Sequence, residues 1–486
     1  MITMQNYKAL KDKYAHLEFS ILPLSSALKD NETKRLDSEY FKKEYFENEE
    51  AIKKSDYLKL KDLCYFICNG DDCREYTQIG KKYIRTGDIK DFGLDLDNAE
   101  VINSNFISKT RLEIGDLLIT RKGNYGKSQV IDNDKIVNSI ISSEIFQLKL
   151  KNINPYFVDI FLKSSYGQLQ FEKHIHGVSN FSITQKALLS FLIPIFDDSF
   201  QKDIEKIVKD SHHKLEQSKA LYKEAESLLY ESLAMPNSLN HYVDKTTQEC
   251  TTEALKLKFP HLNFSIKPLS LSLQKSGRLD SEYHQSKYEN IEALIKSRLC
   301  RRLGDLVSIK KSIEPGSEAY QSEGIEFVRV SNLSKFGISK SDIYLSKEKF
   351  GKDLAKIAPQ KETILLSKDG SVGISYCVEE NLDCITSGAI LHLRVKDKKQ
   401  ILPQVLSLIL NSITTQLQAE RDSGGSIIAH WKISEIENIL IPLLDSQIQE
   451  QIASKLKLSF ALKKEAKELL NLAKSKVESA IEGKIS

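Results

Sequence analysis

The sequence has no apolar stretch long enough to cross a bilayer. Its longest, 187–196, covers about ten positions against the roughly 20 a spanning helix needs, and Pro194 breaks it. It has no Gly-x-Ser-x-Gly elbow, no HExxH and no dinucleotide-binding Gly-x-Gly-x-x-Gly. The glycine-rich cofactor loop and Asn-Pro-Pro-Tyr tetrad of a methyltransferase are missing too. In a chain of 486 residues these absences favour a binding protein over an enzyme. An excess of one charge is also lacking. The 70 basic and 67 acidic residues leave a net charge of +3, so any nucleic acid would have to be met by local basic patches. Seven cysteines, an odd number without framework spacing, suit a reducing compartment. Cys64, Cys68 and Cys73 cluster beside Asp71 and Asp72 but lack CxxC spacing and a fourth zinc ligand, so no metal is expected. Met1 is followed by Ile, Thr, Met, Gln and Asn, without the basic and then apolar start of a secretion signal. A soluble, cytoplasmic protein with no membrane contact is expected.

Proline and glycine are absent from two long stretches, 199–233 and 446–482. In the first, Val208, Leu215, Tyr222 and Leu229 recur every seven residues, with Ile204, Ser211, Ser218 and Ala225 on a second row. In the second, Ile452, Ser459, Ala466, Ala473 and Ala480 form one row and Leu456, Leu470 and Val477 another. A seven-residue apolar repeat keeps one seam of a helix turned toward a partner helix. Each helix would be about 50 Å long at 1.5 Å per residue. Neither can bury its seam alone, which predicts an antiparallel pair.

The chain is one unit written twice. His16-Leu17-Glu18-Phe19-Ser20-Ile21-Leu22-Pro23-Leu24-Ser25 returns as His261-Leu262-Asn263-Phe264-Ser265-Ile266-Lys267-Pro268-Leu269-Ser270. Arg35-Leu36-Asp37-Ser38-Glu39-Tyr40 returns unchanged as Arg278-Leu279-Asp280-Ser281-Glu282-Tyr283. Tyr83-Ile84-Arg85 matches Phe327-Val328-Arg329, and Gly123 and Gly126 match Gly370 and Gly373. Gln168-Leu169-Gln170 matches Gln416-Leu417-Gln418, and Leu192-Ile193-Pro194 matches Leu440-Ile441-Pro442. The long helices then follow in register. Each globular unit reads as a short charged helix, short β-branched strands, and a helix opened by Pro155 or Pro403 that runs through Gln-Leu-Gln. The predicted fold class is α+β: two similar mixed domains (1–198 and 256–444), spacer helices at 199–233 and 445–486, a polar linker at 234–255, and pseudo-twofold internal symmetry. Between matched anchors the halves diverge, so one framework displays two surfaces.

Candidate chemistry lies in loops. Arg121-Lys122-Gly123-Asn124-Tyr125-Gly126-Lys127-Ser128 resembles a phosphate-binding P-loop only superficially, because Arg121 stands where that loop needs glycine. A Gly-x-x-Gly turn with Arg121, Lys122, Asn124, Lys127 and Ser128, or with Lys368 and Ser371, would let main-chain N–H groups and side-chain donors approach a DNA phosphate. A plain hairpin turn reads equally well for the first copy and better for the second. His174, His176, Ser179 and Asn180 form one polar loop, and Arg421, Ser423, Ser426 and His430 the matching one. Either is a groove-entering loop or a solvated one. Thr86 and Asp88, and Ser331 and Asn332, follow the matched strands and carry the same two readings. The duplicated Arg-Leu-Asp-Ser-Glu-Tyr stretch reads as a framework contact, closing each domain onto the long helices or onto a partner subunit.

The duplicated domain plus long helix, the two Arg-Leu-Asp-Ser-Glu-Tyr copies and the domain endings resemble the DNA-specificity subunit of type I restriction–modification systems. Those endings run from Gly177 through Ile183-Thr184 to Leu192-Ile193-Pro194, and from Gly425 through Trp431-Lys432 to Leu440-Ile441-Pro442. The resemblance implies a non-catalytic chain with two target-recognition domains, each reading half of a bipartite double-stranded DNA target at a spacing set by the helices. It also implies two methyltransferase (modification) subunits carrying S-adenosylmethionine and packed on the long helices, adenine methylation of the target, and an optional restriction subunit that uses ATP and magnesium. The chain itself would hold no cofactor. Divergence of the halves predicts an asymmetric target. The competing readings are a coiled-coil scaffold joining two partners without reading DNA, and an enzyme, such as a nuclease, with an unrecognised site.

Overall fold

The computed structural model describes residues 13–14, 24–28, 31, 34–90, 93–96, 99–177, 181–234, 268–270, 272, 277–424 and 429–484. The first copy of the His-Leu repeat up to Pro23, its second copy up to Lys267 and the expected linker beyond residue 234 lie outside these. The chain divides into two units, Met1–Glu216 with Leu462–Ser486, and Gln217–Ala461.

In the first unit, helix α1 (Lys43–Ile52) precedes strands β1 (Tyr57–Lys59), β2 (Cys64–Asn69), β3 (Lys81–Ile84), β4 (Glu100–Ile102), β5 (Leu117–Thr120), β6 (Ser128–Val130), β7 (Ile140–Ile141) and β8 (Ile145–Leu150). An antiparallel sheet runs in the order β2-β8-β5-β6, with Phe146 opposite both Asn69 and Ile119 and Leu117 opposite Val130. A second sheet runs β4-β3-β7, its β3–β7 pair parallel with Ile84 opposite Ile141. Strand β5 is buried at every position. Its side chains alternate between cores because successive residues of a strand face opposite sides. Leu117 and Ile119 join Phe146, Phe157 and Phe161, whereas Leu118 joins Ile84, Ile131 and Ile145.

The helix expected to run from Pro155 through Gln-Leu-Gln is two helices, α2 (Pro155–Lys163) and α3 (Ser165–His174). Ser164 breaks it at φ −72°, ψ 166°, where its hydroxyl donates to the Phe161 carbonyl at 2.6 Å and accepts from Gly167 N–H at 3.3 Å. The serine satisfies the end of one helix and the start of the next, a local bond that competes with helix continuation. Strand β9 (Leu192–Pro194) pairs with β1, and helix α4 spans Asp198–Ser232.

The second unit repeats this plan. Helix α5 (Ser286–Lys296) is followed by β10 (Cys300–Arg302), β11 (Val307–Lys311), β12 (Tyr320–Gln321), β13 (Ile325–Val328) and β14 (Tyr344–Leu345). Then come helix α6 (Lys347–Ile357), β15 (Ile364–Ser367), β16 (Ser375–Cys377), β17 (Cys384–Thr386) and β18 (Ile390–Val395). The main sheet is β11-β18-β15-β16, and β13 pairs in parallel with β17. Helices α7 (Pro403–Asn411) and α8 (Ile413–Asp422) are again split at a serine, Ser412. Strand β19 (Leu440–Pro442) pairs with β10, and helix α9 spans Ser446–Ile481. Helix α6, seated by Phe350, Leu354 and Ile357, marks where the two halves diverge.

The long helices pair antiparallel in each unit. In the first, Ser211 Oγ donates to the Ala466 carbonyl at 2.7 Å, Lys214 meets Glu465 at 2.6 Å and Lys476 pairs with Asp203. In the second, the Ser218 and Ser459 hydroxyls lie 3.1 Å apart and Lys455 meets Glu224 at 2.5 Å. Both predicted seams are buried, except that Leu215 is half-buried. The small residues sit where the backbones approach closely. Val208, Leu470, Ala473 and Val477 complete the first unit's core, and Tyr222, Leu229, Ile452 and Leu456 the second's. Contact therefore follows halves of helices, because globular side chains and the opposite helix share each seam.

The duplicated Arg-Leu-Asp-Ser-Glu-Tyr stretch closes onto α3 and α8 within its own unit. Arg35 is gripped by both Asp37 oxygens at 2.8 and 2.6 Å, and donates to the carbonyls of Lys173 and Ile175 at 3.1 and 2.7 Å. Arg278 grips Asp280 at 2.8 and 2.9 Å and reaches the Arg421 and Asp422 carbonyls. A guanidinium is the right group there, since the last carbonyls of a helix lack partners and carry the negative end of its dipole. Leu470→Ala is expected to lower the unfolding free energy by about 2–5 kcal/mol. Leu472→Ala, at a half-exposed position of the same helix, should change it by less than about 0.5 kcal/mol. Denaturant titration of both variants checks the seam.

Candidate nucleic-acid interface

The Gly-x-x-Gly turn between β5 and β6 is organised by a buried hydroxyl. Thr120 Oγ1 donates to the Asn124 carbonyl at 2.6 Å and accepts from Lys127 N–H at 2.9 Å. Ser367 does the same between β15 and β16, donating to Ser371 at 2.5 Å and accepting from Ile374 N–H at 2.9 Å. Gln168 then ties the Gly126 carbonyl to α3 at 3.1 Å, and Gln416 ties Gly373 to α8 at 2.8 Å. Gly126 (φ 75°) and Gly373 (φ 85°) occupy the left-handed region, where a side chain would be strained and would press on Phe171 or Gln416. The second glutamine of each motif serves elsewhere: Gln170 and Gln418 bond both ways to Leu192 and Leu440.

Two loops separate in sequence meet on this turn. Ile183 N–H donates to the Arg121 carbonyl at 2.9 Å and Gly123 N–H to Phe181 at 3.1 Å, while His176 and Ser182 pair back to back. In the second unit Trp431 N–H donates to Lys368 at 2.8 Å and Gly370 N–H to Ala429 at 2.9 Å, with His430 paired to Gly424. A third segment completes the ledge. Arg121 N–H donates to the Glu144 carbonyl at 2.9 Å, and Lys368 N–H to Ala389 at 2.8 Å.

In the first unit this brings together Arg121, Lys122, Asn124, Lys127 and His176. Asn124 and His176 are exposed, and Lys122 and Lys127 half-buried. Lys122 pairs with Glu144 at 3.2 Å, and His176 Nε2 lies 3.1 Å from Ser182 Oγ. Arg121 is half-buried, its guanidinium 5.4 Å from the centre of the Phe146 ring. The second ledge holds Lys368, Ser371, Ser423 and His430. Asp369 pairs with Lys368 and meets His430 Nδ1 at 2.9 Å. Burial alone would raise the Asp369 carboxyl, but Lys368 and His430 outweigh it and hold it below its ordinary value. The first ledge thus displays an amide, an imidazole and three cations, one of them paired with Glu144; the second carries a carboxylate, an imidazole, hydroxyls and one lysine.

Several expected contacts belong to the framework. Asp88 is buried, and its carboxylate accepts from Arg85 N–H at 2.7 Å to close a turn; Asn332 accepts from Arg329 N–H at 3.0 Å in the same way. Ser128 is buried and donates to Asp159 at 2.6 Å. His174 is buried between Tyr40 and Phe191, and desolvation, aided by Lys173 and Arg35, lowers its pKa to about 3. Arg421 is held by Asp422 at 2.7 Å and Glu292 at 3.0 Å. These side chains point into the protein or onto its own charges, which removes Asp88, Ser128 and His174 from any contact surface. Thr86 is half-buried and Ser331 exposed, each beside its turn. Ser179, Asn180 and Ser426 lie outside the described residues.

The sequence reading missed Ser143 and Glu144, and their counterparts Gly388 and Ala389, on the third segment of each ledge. Ser142 and Ser387 at an equal offset were the available signal. Among the described residues no group of three or more His, Cys, Asp or Glu could hold a metal ion, and no helix is long and apolar enough to cross a membrane.

Residues 300–472 match the family model of the type I restriction modification DNA specificity domain. No curated protein matches the chain. It is similar to the type I restriction-modification system S subunit from M. genitalium, at 16% identity over 88% of this chain and 95% of that one, with a TM-score of 0.41. It is also similar to the HsdS subunit from Thermoanaerobacter tengcongensis, at 15% identity over 88% of this chain and 97% of that one, with a TM-score of 0.28.

Burial of His174 has a consequence for acid stability. The unfolded chain takes up this proton near pH 6.5 and the folded one only near 3, so stability falls as pH drops through that window. The slope is about 1.4 kcal/mol per pH unit for each such group. His392, lowered to about 4 by burial and by Lys310 and Arg394, acts in the same direction. Unfolding measured from pH 7 to 4 should show the loss, and His174→Phe should flatten it by one proton.

Proposed function

We propose that this chain is a DNA-specificity subunit of the type I restriction–modification family, a reading supported by its match at 300–472, and that it reads an asymmetric bipartite target with its two ledges. The observation that carries this reading is one hydrogen-bonded frame used twice with different side chains on it. Thr120 and Ser367, Gln168 and Gln416, and the paired backbone contacts coincide. The displayed residues do not: where the first unit has Lys122, Asn124, Lys127, His176 and Ser182, the second has Asp369, Ser371, Ile374, Gly424 and His430. Cations and main-chain N–H groups hold a phosphate backbone at any sequence, whereas amides, carboxylates and imidazoles discriminate base edges. A shared frame with exchanged donors and acceptors is what two different half-sites require.

On this reading the chain makes and breaks no bonds. Two modification subunits carrying S-adenosylmethionine methylate adenine in the target it selects, and a restriction subunit using ATP and magnesium cuts where that mark is missing. Sequencing of methylated bases in cells with and without the chain should reveal one gapped, asymmetric sequence whose mark depends on it. An unchanged methylation pattern would support a scaffold that reads no DNA. Lys122→Ala with Lys127→Ala should weaken binding at every sequence and shrink the slope of log affinity against log salt by about one for each phosphate no longer neutralised. Asn124→Ala should relax preference in one half-site only.

A further inference from the structure

Each globular part is fastened to the long helix that follows it at a shared place and at a divergent one. Near the start of α4, Gln201 Oε1 accepts from Asn154 N–H at 2.9 Å, and near the start of α9, Gln449 Oε1 accepts from Leu402 N–H at 2.9 Å. The divergent place lies about 16 Å further along each helix, at 1.5 Å per residue. The offset that relates Gln168 to Gln416 also relates His212 of α4 to Phe460 of α9. In the first unit His212 Nδ1 lies 2.6 Å from Asp132 Oδ2, and Asn133 Nδ2 donates to the other carboxylate oxygen at 2.9 Å. His212 is 12% exposed and Asp132 17%, and among the described residues His212 Nε2 is buried without a partner. Burial alone would raise the Asp132 carboxyl, but His212 and Asn133 outweigh it and hold it below its ordinary value. In the second unit Phe460 lies 5.8 Å from the Tyr376 ring and 6.3 Å from Tyr222, edge-on to both, and Phe336 meets Tyr222 at 4.7 Å.

The strand that leads to each contact begins on the ledge. Strand β6 starts at Ser128, directly after Lys127, and ends two residues before Asp132; β16 starts at Ser375, directly after Ile374, and carries Tyr376. An extended chain covers the distance from Lys127 to Asp132 in about 17 Å. One attachment to a helix leaves a pivot, whereas a second one, spaced along the axis, fixes the angle of the strand. We propose that Asp132 and His212 are positioning residues for the first ledge, a polar latch that sets β6 against α4 where the second unit uses packed aromatic rings. They act through β6 on the turn that carries Asn124 and Lys127, and not on DNA. The proposal rests on the functional reading above, which assigns that turn to one half-site. The polar latch is also the easier to disarm, because loss of one partner leaves the other buried and unsatisfied.

The test is amide hydrogen exchange on the full-length chain, followed by mass spectrometry. Asp132→Ala should speed exchange at the Lys127 amide and through β6 about tenfold, with β5, β8 and the Ile374 amide of the second turn unchanged. Asp132→Asn should restore the wild-type rates, since its amide oxygen still accepts from Nδ1. His212→Phe, which puts the second unit's residue in the same place, should act like Asp132→Ala. On the gapped duplex that the wild-type chain selects from a random pool, Asp132→Ala should lose about tenfold in affinity and keep its base preference and salt slope. Unchanged exchange at Lys127 would overturn the latch. Equal acceleration through β5 and β8 would overturn it as well, by making the pair a stabiliser of the whole sheet, and so would an altered base preference, by placing Asp132 on the DNA. A wild-type chain that selects no sequence, with the exchange pattern as expected, would overturn the functional reading and leave the latch standing.

Discussion

A helix of 35 residues with an apolar seam cannot bury that seam on its own, and this constraint organises both units. Each is completed by half of α4 and half of α9, running in opposite directions. Their large apolar residues complete the globular cores, while serine and alanine occupy the places where helix faces helix. Removing the globular side would leave Leu470 and Val477 in water as surely as removing the other helix. The seam is therefore shared, and neither element is a free-standing module.

From that base the framework works inward to the ledges by hydrogen bonds. Helices α3 and α8 pack beside the cores, one glutamine from each reaches out to the Gly-x-x-Gly turn, and the arginine of the duplicated motif seals the helix end. Buried main-chain groups need partners, so these few side chains set where the turn sits. The residues displayed on the turn then vary without disturbing it. This separation of frame from display lets one fold present two chemistries.

Much of this was legible in one dimension. The heptads predicted which residues are buried along both helices, because side-chain direction in a helix follows sequence spacing. Six matched segments predicted the repeat. Other assignments failed for reasons no spacing could show. His174 and His176 stand two apart, yet the chain turns extended at Ile175, so one ring enters the core and the other faces water. Asp88 was read as a loop residue facing a groove or solvent, although its carboxylate caps its own turn.

By itself the sequence determined that the chain is a doubled α+β unit with two long helices, since periodicity and internal identity are local properties. Only the tertiary structure decided that the turn at 121–127, the residues at 176 and 181–183 and the segment at 143–144 form one ledge. It also decided that Ser128 and His174 lie inside while Leu36 and Leu279 lie outside. Those outcomes depend on which distant backbone groups hydrogen-bond and which side chains are desolvated, and both are set by the packed arrangement of segments far apart along the chain.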